Sequence, residues 1–113
     1  MSDTISWAEF EKVDLRVGTI VEAQDFPKAR KPAYQLKLDF GKEIGILQSS
    51  AQITVHYTKE ELIGKQVVAV VNFPKKQIAN FFSECLVTGF ADEHGNIILT
   101  AVDKKLPNGS KLS

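Results

Sequence analysis

Disulfide-forming cysteine is nearly absent from this sequence: Cys85 is the only one, which excludes an internal disulfide bond. A chain without disulfides is typical of a reducing compartment, and the cytoplasm is the simplest expectation. No apolar run approaches the roughly 20 residues that a transmembrane helix needs, so we expect no membrane insertion. The opening residues, Met1-Ser2-Asp3-Thr4, also lack the basic and then apolar order of a signal peptide.

The sequence also lacks the patterns that usually carry catalysis. Its two histidines, His56 and His94, have no cysteine or histidine neighbours at metal-ligand spacing. It contains no glycine-rich phosphate loop and no nucleophile-elbow motif. The formal net charge is zero, from 14 basic and 14 acidic side chains, which argues against coating of nucleic acid by bulk charge. We therefore expect a binding protein without metal or cofactor, in which any nucleic-acid site is a local patch.

What the sequence does contain is a strand-rich pattern with two short helices. Ser6 to Glu9 and Thr58 to Glu61 each form a capping box, in which Ser or Thr begins a helix and Glu follows three residues later. Gly18 predicts a bulge or bend inside the first strand. Strands are predicted at Leu15 to Phe26, Gln35 to Phe40, Glu43 to Gln48, Gln66 to Phe73, Cys85 to Phe90 and Ile97 to Val102.

This order of elements predicts one all-β domain over residues 1–113, with residues 1–13 as an N-terminal helical extension. About five main strands in local pairs, a short helix between the third and fourth strands, and no βαβ spacing indicate an antiparallel barrel. The order matches the OB-fold, a five-stranded Greek-key barrel. An SH3-like barrel is the main rival, although it usually lacks the helix after the third strand.

Basic residues cluster where an OB-fold binds its ligands, across strands two and three and between the loops that join strands one to two and four to five. Polar side chains near this face add amide and hydroxyl groups that suit bases or phosphates. The alternative for the basic residues is that they are solvated loop charges. The alternative for the polar side chains is that they cap the third strand and satisfy main-chain groups of the loop. The predicted nucleic-acid-binding residues are Lys28, Arg30, Lys31, Lys37, Gln48, Ser49, Ser50, Asn72, Lys75, Lys76 and Ser83.

Apolar side chains beside these loops predict a polypeptide ligand and a subunit contact. The predicted peptide-binding residues are Phe26, Phe73, Ile78, Phe81 and Phe82. The last two are neighbours whose side chains point to opposite faces of a strand, so core packing, base stacking and a subunit contact all remain open for them. A dimer interface is predicted from Ile5, Trp7, Phe10, Ile97 and Leu99, with packing on the chain's own barrel as the alternative.

Four segments carry a resemblance to a known family: Asp14 to Ile20, Leu62 to Val67, Val71 to Lys76, and the pair Ser83-Glu84. They resemble the signatures of the tRNA-binding domain family, an OB-fold module that is appended to some methionyl- and phenylalanyl-tRNA synthetases and also occurs alone. Asp39 to Gly41 and Glu43 to Thr54 are similar to the free-standing CsaA branch of that family.

This resemblance implies a homodimeric, cytoplasmic, export-related chaperone that binds unfolded or preprotein polypeptides and the preprotein translocase motor. Asn80 stands where many tRNA-binding domains have glycine, and Cys85-Leu86 replaces their Gly-Met pair. The first hypothesis is therefore a non-catalytic chaperone for extended, basic and apolar peptides. The second is a structure-selective tRNA-binding protein that uses the basic face.

Overall fold

The computed structural model describes residues 3–113, which fold mainly into β-structure. The elements in chain order are α1 Trp7–Glu11, β1 Leu15–Asp25, β2 Tyr34–Asp39, β3 Ile46–Ala51, α2 Lys59–Leu62, β4 Gln66–Val70, β5 Lys76–Ile78, β6 Phe81–Ser83, β7 Leu86–Val87, β8 Gly89–Ala91 and β9 Ile97–Leu99. Within the described residues, neither helix is long and apolar enough to cross a membrane.

Five of the strands form one antiparallel sheet in the order β3-β2-β1-β4-β7. The sheet curls until its β3 edge meets the segment that leads into β7. There the Gln48 N–H donates to the Glu84 carboxylate at 3.0 Å, and the Gln48 carbonyl accepts from the Glu84 N–H at 2.8 Å. The result is a nearly closed barrel of the OB type, which confirms the predicted fold class, including the helix between the third and fourth strands.

The barrel interior is packed by side chains that alternate along the strands. Leu36, Leu38 and Ile20 are fully buried, as is Leu62, which anchors α2 beneath the barrel. Of the bulge or bend predicted at Gly18, the bulge is wrong in position, because Gly18 pairs regularly with Val67 and the register of β1 against β2 shifts between Ile20 and Glu22. Glycine is needed at position 18 for a steric reason, because a Cβ there would lie 2.6 Å from the Phe40 ring.

Both predicted capping boxes are confirmed. The Ser6 hydroxyl accepts from the Glu9 N–H at 3.1 Å, and the Glu9 carboxylate accepts from the Ser6 N–H at 2.9 Å. Thr58 and Glu61 make the same reciprocal pair at 3.2 and 2.6 Å. These local bonds satisfy main-chain groups that a short helix leaves free, which explains why such brief helices form at the positions that the sequence indicates.

Several strand limits differ from the prediction. The third strand begins at Ile46 rather than Glu43, because residues 41–45 form a turn in which Gly41 and Gly45 take φ values of 88° and 85°. The predicted strand from Cys85 to Phe90 is divided at Thr88, whose N–H and hydroxyl both donate to the Val68 carbonyl, at 3.0 and 2.8 Å. The last strand ends at Leu99 rather than Val102, and the fourth ends at Val70 rather than Phe73.

The connection between β4 and β7 is predicted as a loop but contains a hairpin. Strand β5 pairs with β6 from Lys76 opposite Ser83 to Ile78 opposite Phe81, across the two-residue turn Ala79-Asn80. Ala79 has a φ of 55°, the positive value that the first central residue of a type II′ turn needs. The hairpin supplies one wall of the candidate site.

Candidate ligand-binding groove and basic face

An open groove of about 890 Å³ runs between the end of β3, the β5–β6 hairpin and β7. Its walls come from residues 50–53, 73–78, 83 and 85–87, and Ile97 also lines it. Volumes of about 300 to 1,000 Å³ are typical of ligand sites. The groove is therefore large enough to hold several side chains of a bound molecule.

The groove combines apolar walls with two lysines. Phe73 is 54% exposed, Leu86 is about half exposed, and Ile78 is partly buried along the same walls. The Lys75 ammonium lies 3.6 Å from the Glu84 carboxylate, whereas Lys76 forms no ion pair with any residue in the range 3–113. The site thus offers apolar surface and positive charge together.

A smaller polar hollow of about 230 Å³ lies where the outer faces of β1, β2 and β3 meet Phe81. The Lys37 ammonium lies 3.3 Å from the Glu22 carboxylate, and the Gln48 side-chain amide donates to the Phe82 carbonyl at 2.9 Å. The hollow is lined by Glu22, Gln24, Gln35, Leu36, Lys37, Gln48 and Phe81. We call this surface the polar hollow.

The first basic loop lies beside the hairpin. Phe26, directly before this loop, packs on Phe81 with their ring centroids 5.4 Å apart. The loop residues Lys28, Arg30 and Lys31 are exposed, and they form no ion pair within the described part of the chain. The contact places the start of the first loop against β6 of the hairpin, while a shared ligand face for the cations of the two loops stays a prediction.

Several of the predicted nucleic-acid contacts have a structural role. Ser49 is 1% exposed, and its hydroxyl donates to the Ser50 carbonyl at 3.1 Å. The Ser83 hydroxyl accepts from the Ser50 N–H at 3.2 Å and donates to the Cys85 carbonyl at the same distance. These serines join β3 to β6, and Ser49 in particular has no surface to offer a ligand.

Asn72 and Phe26 are likewise held by the fold. The Asn72 amide oxygen accepts from the Asp14 N–H at 3.0 Å, and its nitrogen donates to the Lys12 carbonyl at 2.7 Å, so this side chain fastens the start of β1 to the end of β4. Phe26 is 4% exposed, and it supports Phe81 from beneath rather than presenting itself to a peptide. Phe82, by contrast, is about half exposed.

The predicted dimer residues divide into exposed and buried groups. Trp7 is 70% exposed, Ile5 is similarly exposed, and Phe10 is partly covered by its contact with Trp7. Ile97 is partly buried and lines the groove. Leu99 is 9% exposed and belongs to the barrel core, so the alternative of packing on the chain's own barrel is correct for this residue.

Two other titratable groups have structural roles: Cys85 in the groove wall, and Asp92 outside both surfaces. Burial and the adjacent Glu84 charge raise the pKa of the Cys85 thiol to about 12, which keeps it protonated at neutral pH, and the side chain packs as a small apolar group. The His56 ring nitrogen lies 2.7 Å from the Asp92 carboxylate. This bond, with the N–H groups of Asn96 and His94, lowers the pKa of Asp92.

The strand and turn patterns of the sequence did not predict the groove. Gln52, Ile53, Leu86 and Val87 line it but are absent from the predicted site. They belong to segments that are more than 30 residues apart and meet only where the barrel closes. The hairpin was hard to predict as well, because Ala79-Asn80 is not one of the glycine-containing dipeptides that signal a two-residue turn.

Comparison with known proteins identifies the family. A family model described as "Putative tRNA binding domain" matches residues 15–111. The chain belongs to the tRNA-binding domain family. The methionine–tRNA ligase of Methanocaldococcus jannaschii is 36% identical over 110 residues, which are 97% of this chain and 16% of that enzyme. The ligase of Pyrococcus furiosus is 38% identical over 108 residues, 96% of this chain and 14% of the enzyme. The chain therefore spans less than one-fifth of the length of these curated relatives.

Three solved structures match nearly the whole chain. The chaperone CsaA from Bacillus anthracis is 50% identical with a TM-score of 0.92, over 98% of this chain and 100% of that one. The CsaA chaperone protein from Picrophilus torridus is 52% identical with a TM-score of 0.90, over 97% of this chain and 100% of that one. A protein related to methionyl-tRNA synthetase from Pyrococcus horikoshii is 25% identical with a TM-score of 0.86, over 99% and 100%. Together with the family, these neighbours support a binding function, either of tRNA or of the chaperone kind.

Proposed function

We propose that this protein is a non-catalytic chaperone that binds unfolded or export-competent polypeptide segments in the groove. The observation that carries the proposal is the open, largely apolar groove of about 890 Å³ on the barrel. Burial of apolar surface there stabilises a complex by roughly 25 cal/mol per Å². Folded proteins keep most of their large apolar side chains inside, so such a groove selects chains that are not yet folded.

The similarity to two CsaA chaperones over nearly the whole chain supports this choice. The same resemblance extends the proposal to a cytoplasmic role in protein export, including contact with the preprotein translocase motor.

The groove is tested by the double substitution Phe73→Ser/Leu86→Ser, measured as suppression of the aggregation of a heat-denatured client. Both side chains are about half exposed, so the barrel should keep its melting temperature. Removal of two apolar side chains from the groove, each worth about 1 kcal/mol or more, should raise the protein concentration needed for suppression by about tenfold or more.

Phe90→Ser is the matched control, because Phe90 is 75% exposed but lies outside the groove. It should act like the wild type. Equal suppression by the groove variant and the wild type, or an equal loss in the control, would contradict a specific site in the groove.

We also propose a homodimer that covers the N-terminal helix. The exposed face of Ile5 and Trp7, with Phe10 packed against Trp7 at 5.8 Å between ring centroids, gives a two-fold partner an apolar surface to bury. Trp7→Ala should shift the molecule from dimer to monomer in sedimentation velocity. A wild-type protein that sediments as a monomer at the concentrations of the chaperone assay would rule this proposal out.

A second candidate function, binding of tRNA, is favoured by one specific observation. The exposed cations of the first loop form no ion pair among residues 3–113, and they follow Phe26, which packs on Phe81 of the polar hollow. Unpaired Lys and Arg side chains bind phosphate without reading base sequence. The family match supports this candidate as well.

A further inference from the structure

We propose that the client polypeptide is bound in an extended conformation, as a strand added to the free edge of β5, and that the groove prefers apolar segments flanked by an acidic residue. This inference rests on the proposed polypeptide-binding function and adds the binding mode and the chemistry of the client. It comes from the main-chain groups and charges of the groove walls rather than from their apolar surface.

The main-chain groups of β5 leave one edge of the hairpin free. Ile78 and Phe81 flank the two-residue turn and therefore form a hydrogen-bonded pair, so the next pair, Gln77 with Phe82, is a non-hydrogen-bonded one. The N–H and C=O of Gln77 consequently point away from β6. Gln77 lines the groove, and outside the β5–β6 ladder its N–H and C=O form no hydrogen bond among the described residues. Unpaired main-chain groups on a strand edge are a template for another strand.

The end of β3 leaves one further main-chain donor free in the same groove. Its outward main-chain groups are engaged up to Ser50, since Glu84 bonds both groups of Gln48 and the Ser83 hydroxyl accepts from the Ser50 N–H. Two residues further on, Gln52 also lines the groove, and its N–H bonds to no residue in the described range. The pairing that closes the barrel therefore stops where the groove begins. Gln52 therefore adds a single donor, whereas β5 supplies the edge with which the client strand pairs.

The charges of the groove walls favour one sign of charge in the residues that flank the apolar segment of the client. Among the residues that the structure describes, the groove lining includes Lys75 and Lys76 and no acidic side chain. The nearby acid, Glu84, is already held by the Gln48 N–H and by Lys75. The Lys76 ammonium is thus available to an acidic side chain of the client. This arrangement favours an acidic flank over the basic one that the sequence interpretation expects.

The binding mode is tested with a fluorescein-labelled nine-residue peptide of alternating leucine and threonine that ends in glutamate, titrated by fluorescence anisotropy. Alternate N–H groups of a strand point to the same side. N-methylation of all leucines or of all threonines should therefore give unequal results, with about a tenfold loss of affinity for one set and less than about twofold for the other. Replacing the terminal glutamate by lysine should weaken binding by about threefold.

Two outcomes separate this inference from the proposed function. Equal losses from both methylated sets would overturn strand addition while leaving polypeptide binding intact. No binding of the unmodified peptide would overturn the polypeptide-binding function, and this inference with it. A peptide ending in lysine that binds as well as the one ending in glutamate would overturn the acidic preference.

Substitutions in β5 give an independent test on the protein. Gln77→Pro removes an N–H that β6 does not use, so the hairpin pairing should persist, and Gln77→Ala is the matched control that keeps the N–H. The proline variant should bind the peptide about fivefold more weakly and the alanine variant within about twofold of wild type. Lys76→Glu should reverse the preference between the glutamate and lysine peptides.

A folded Gln77→Pro variant with wild-type affinity would overturn strand addition at β5, and an unchanged preference in Lys76→Glu would overturn the role of Lys76. If the proline variant melts below the assay temperature, the methylated peptides decide the question alone.

Discussion

The groove and the polar hollow share the β5–β6 hairpin but differ in size, lining and the state of their charges. The groove holds about 890 Å³ and the hollow about 230 Å³. In the groove Lys76 has no acidic partner among residues 3–113, whereas in the hollow Lys37 is paired with Glu22. Apolar ligands need a recess from which water is displaced, and phosphates need only accessible cations. One hairpin can therefore serve two ligand chemistries on neighbouring surfaces.

The barrel core and the β5–β6 hairpin differ in a second way: the core determines the stability of the protein, and the hairpin contributes to ligand binding. The core, built on residues such as Leu36, Leu38 and Phe40, is closed and has little tolerance for change. The hairpin is short, is mostly exposed, and contributes Ile78 to the groove and Phe81 to the hollow. Substitutions in the hairpin should therefore change ligand affinity more than they change the free energy of unfolding.

The largest expected separation of the two surfaces comes from the first basic loop. The triple substitution Lys28→Ala/Arg30→Ala/Lys31→Ala should weaken binding of a tRNA transcript at low salt, by about tenfold for each side chain that binds a phosphate in the wild type. It should also flatten the plot of log affinity against log salt by about 0.7 to 0.9 for each such side chain. Client aggregation should be suppressed as in the wild type.

Lys104→Ala/Lys105→Ala is the control for loss of positive charge elsewhere, and it removes two charges where the loop variant removes three; these exposed lysines line a different pocket, with Thr19 and Gln66. If both variants reduce tRNA affinity equally, binding is diffuse and the loop is not a site. If the wild type retains no tRNA even at low salt, the second candidate function is ruled out.

An intermediate effect is expected from Gly18→Ala, which perturbs the barrel that both surfaces share. The added methyl would meet the Phe40 ring at 2.6 Å, and overpacking of this kind costs about 1–3 kcal/mol of unfolding free energy. Denaturant unfolding should show this loss, while ligand affinities measured well below the melting temperature should change together and only slightly. If Gly18→Ala lowered the affinity for one ligand and left the other unchanged, the two surfaces would not depend equally on the barrel.

The smallest effect is expected at Asp92, which lies outside both surfaces. Hydrogen bonds from His56 and from two main-chain N–H groups lower its pKa, so its contribution to stability is fully present above its unfolded pKa of about 3.9 and is lost as the pH falls through the lower folded value. Asp92→Asn should therefore lower the melting temperature at pH 7, and this difference should shrink towards acid pH. A difference that grows as the pH falls would contradict this assignment.

The barrel was predictable because its signals are local. Both capping boxes and the alternation along Gln35 to Phe40 are set by neighbouring residues. The start of β3 was not predictable, because Glu43 and Ile44 suit a strand until the turn between Gly41 and Gly45 removes them from it.

The candidate site was predictable only in part. The basic loops follow from the fold and its loop positions, whereas the groove depends on barrel closure between Gln48 and Glu84, a contact that strand patterns do not report. Ser49 shows the converse error: the alternation along β3 turns this serine into the barrel, and its buried hydroxyl is satisfied by a hydrogen bond to the main chain.

The central claim, that polypeptide binds in the groove rather than in the polar hollow, is tested most directly by amide chemical-shift mapping. The leucine–threonine peptide should be titrated into ¹⁵N-labelled protein. We predict saturable shifts at Gln52, Gln77 and Leu86, with Glu22, Gln35 and Lys37 unchanged. Shifts confined to the second group, with the groove residues unchanged, would contradict the claim.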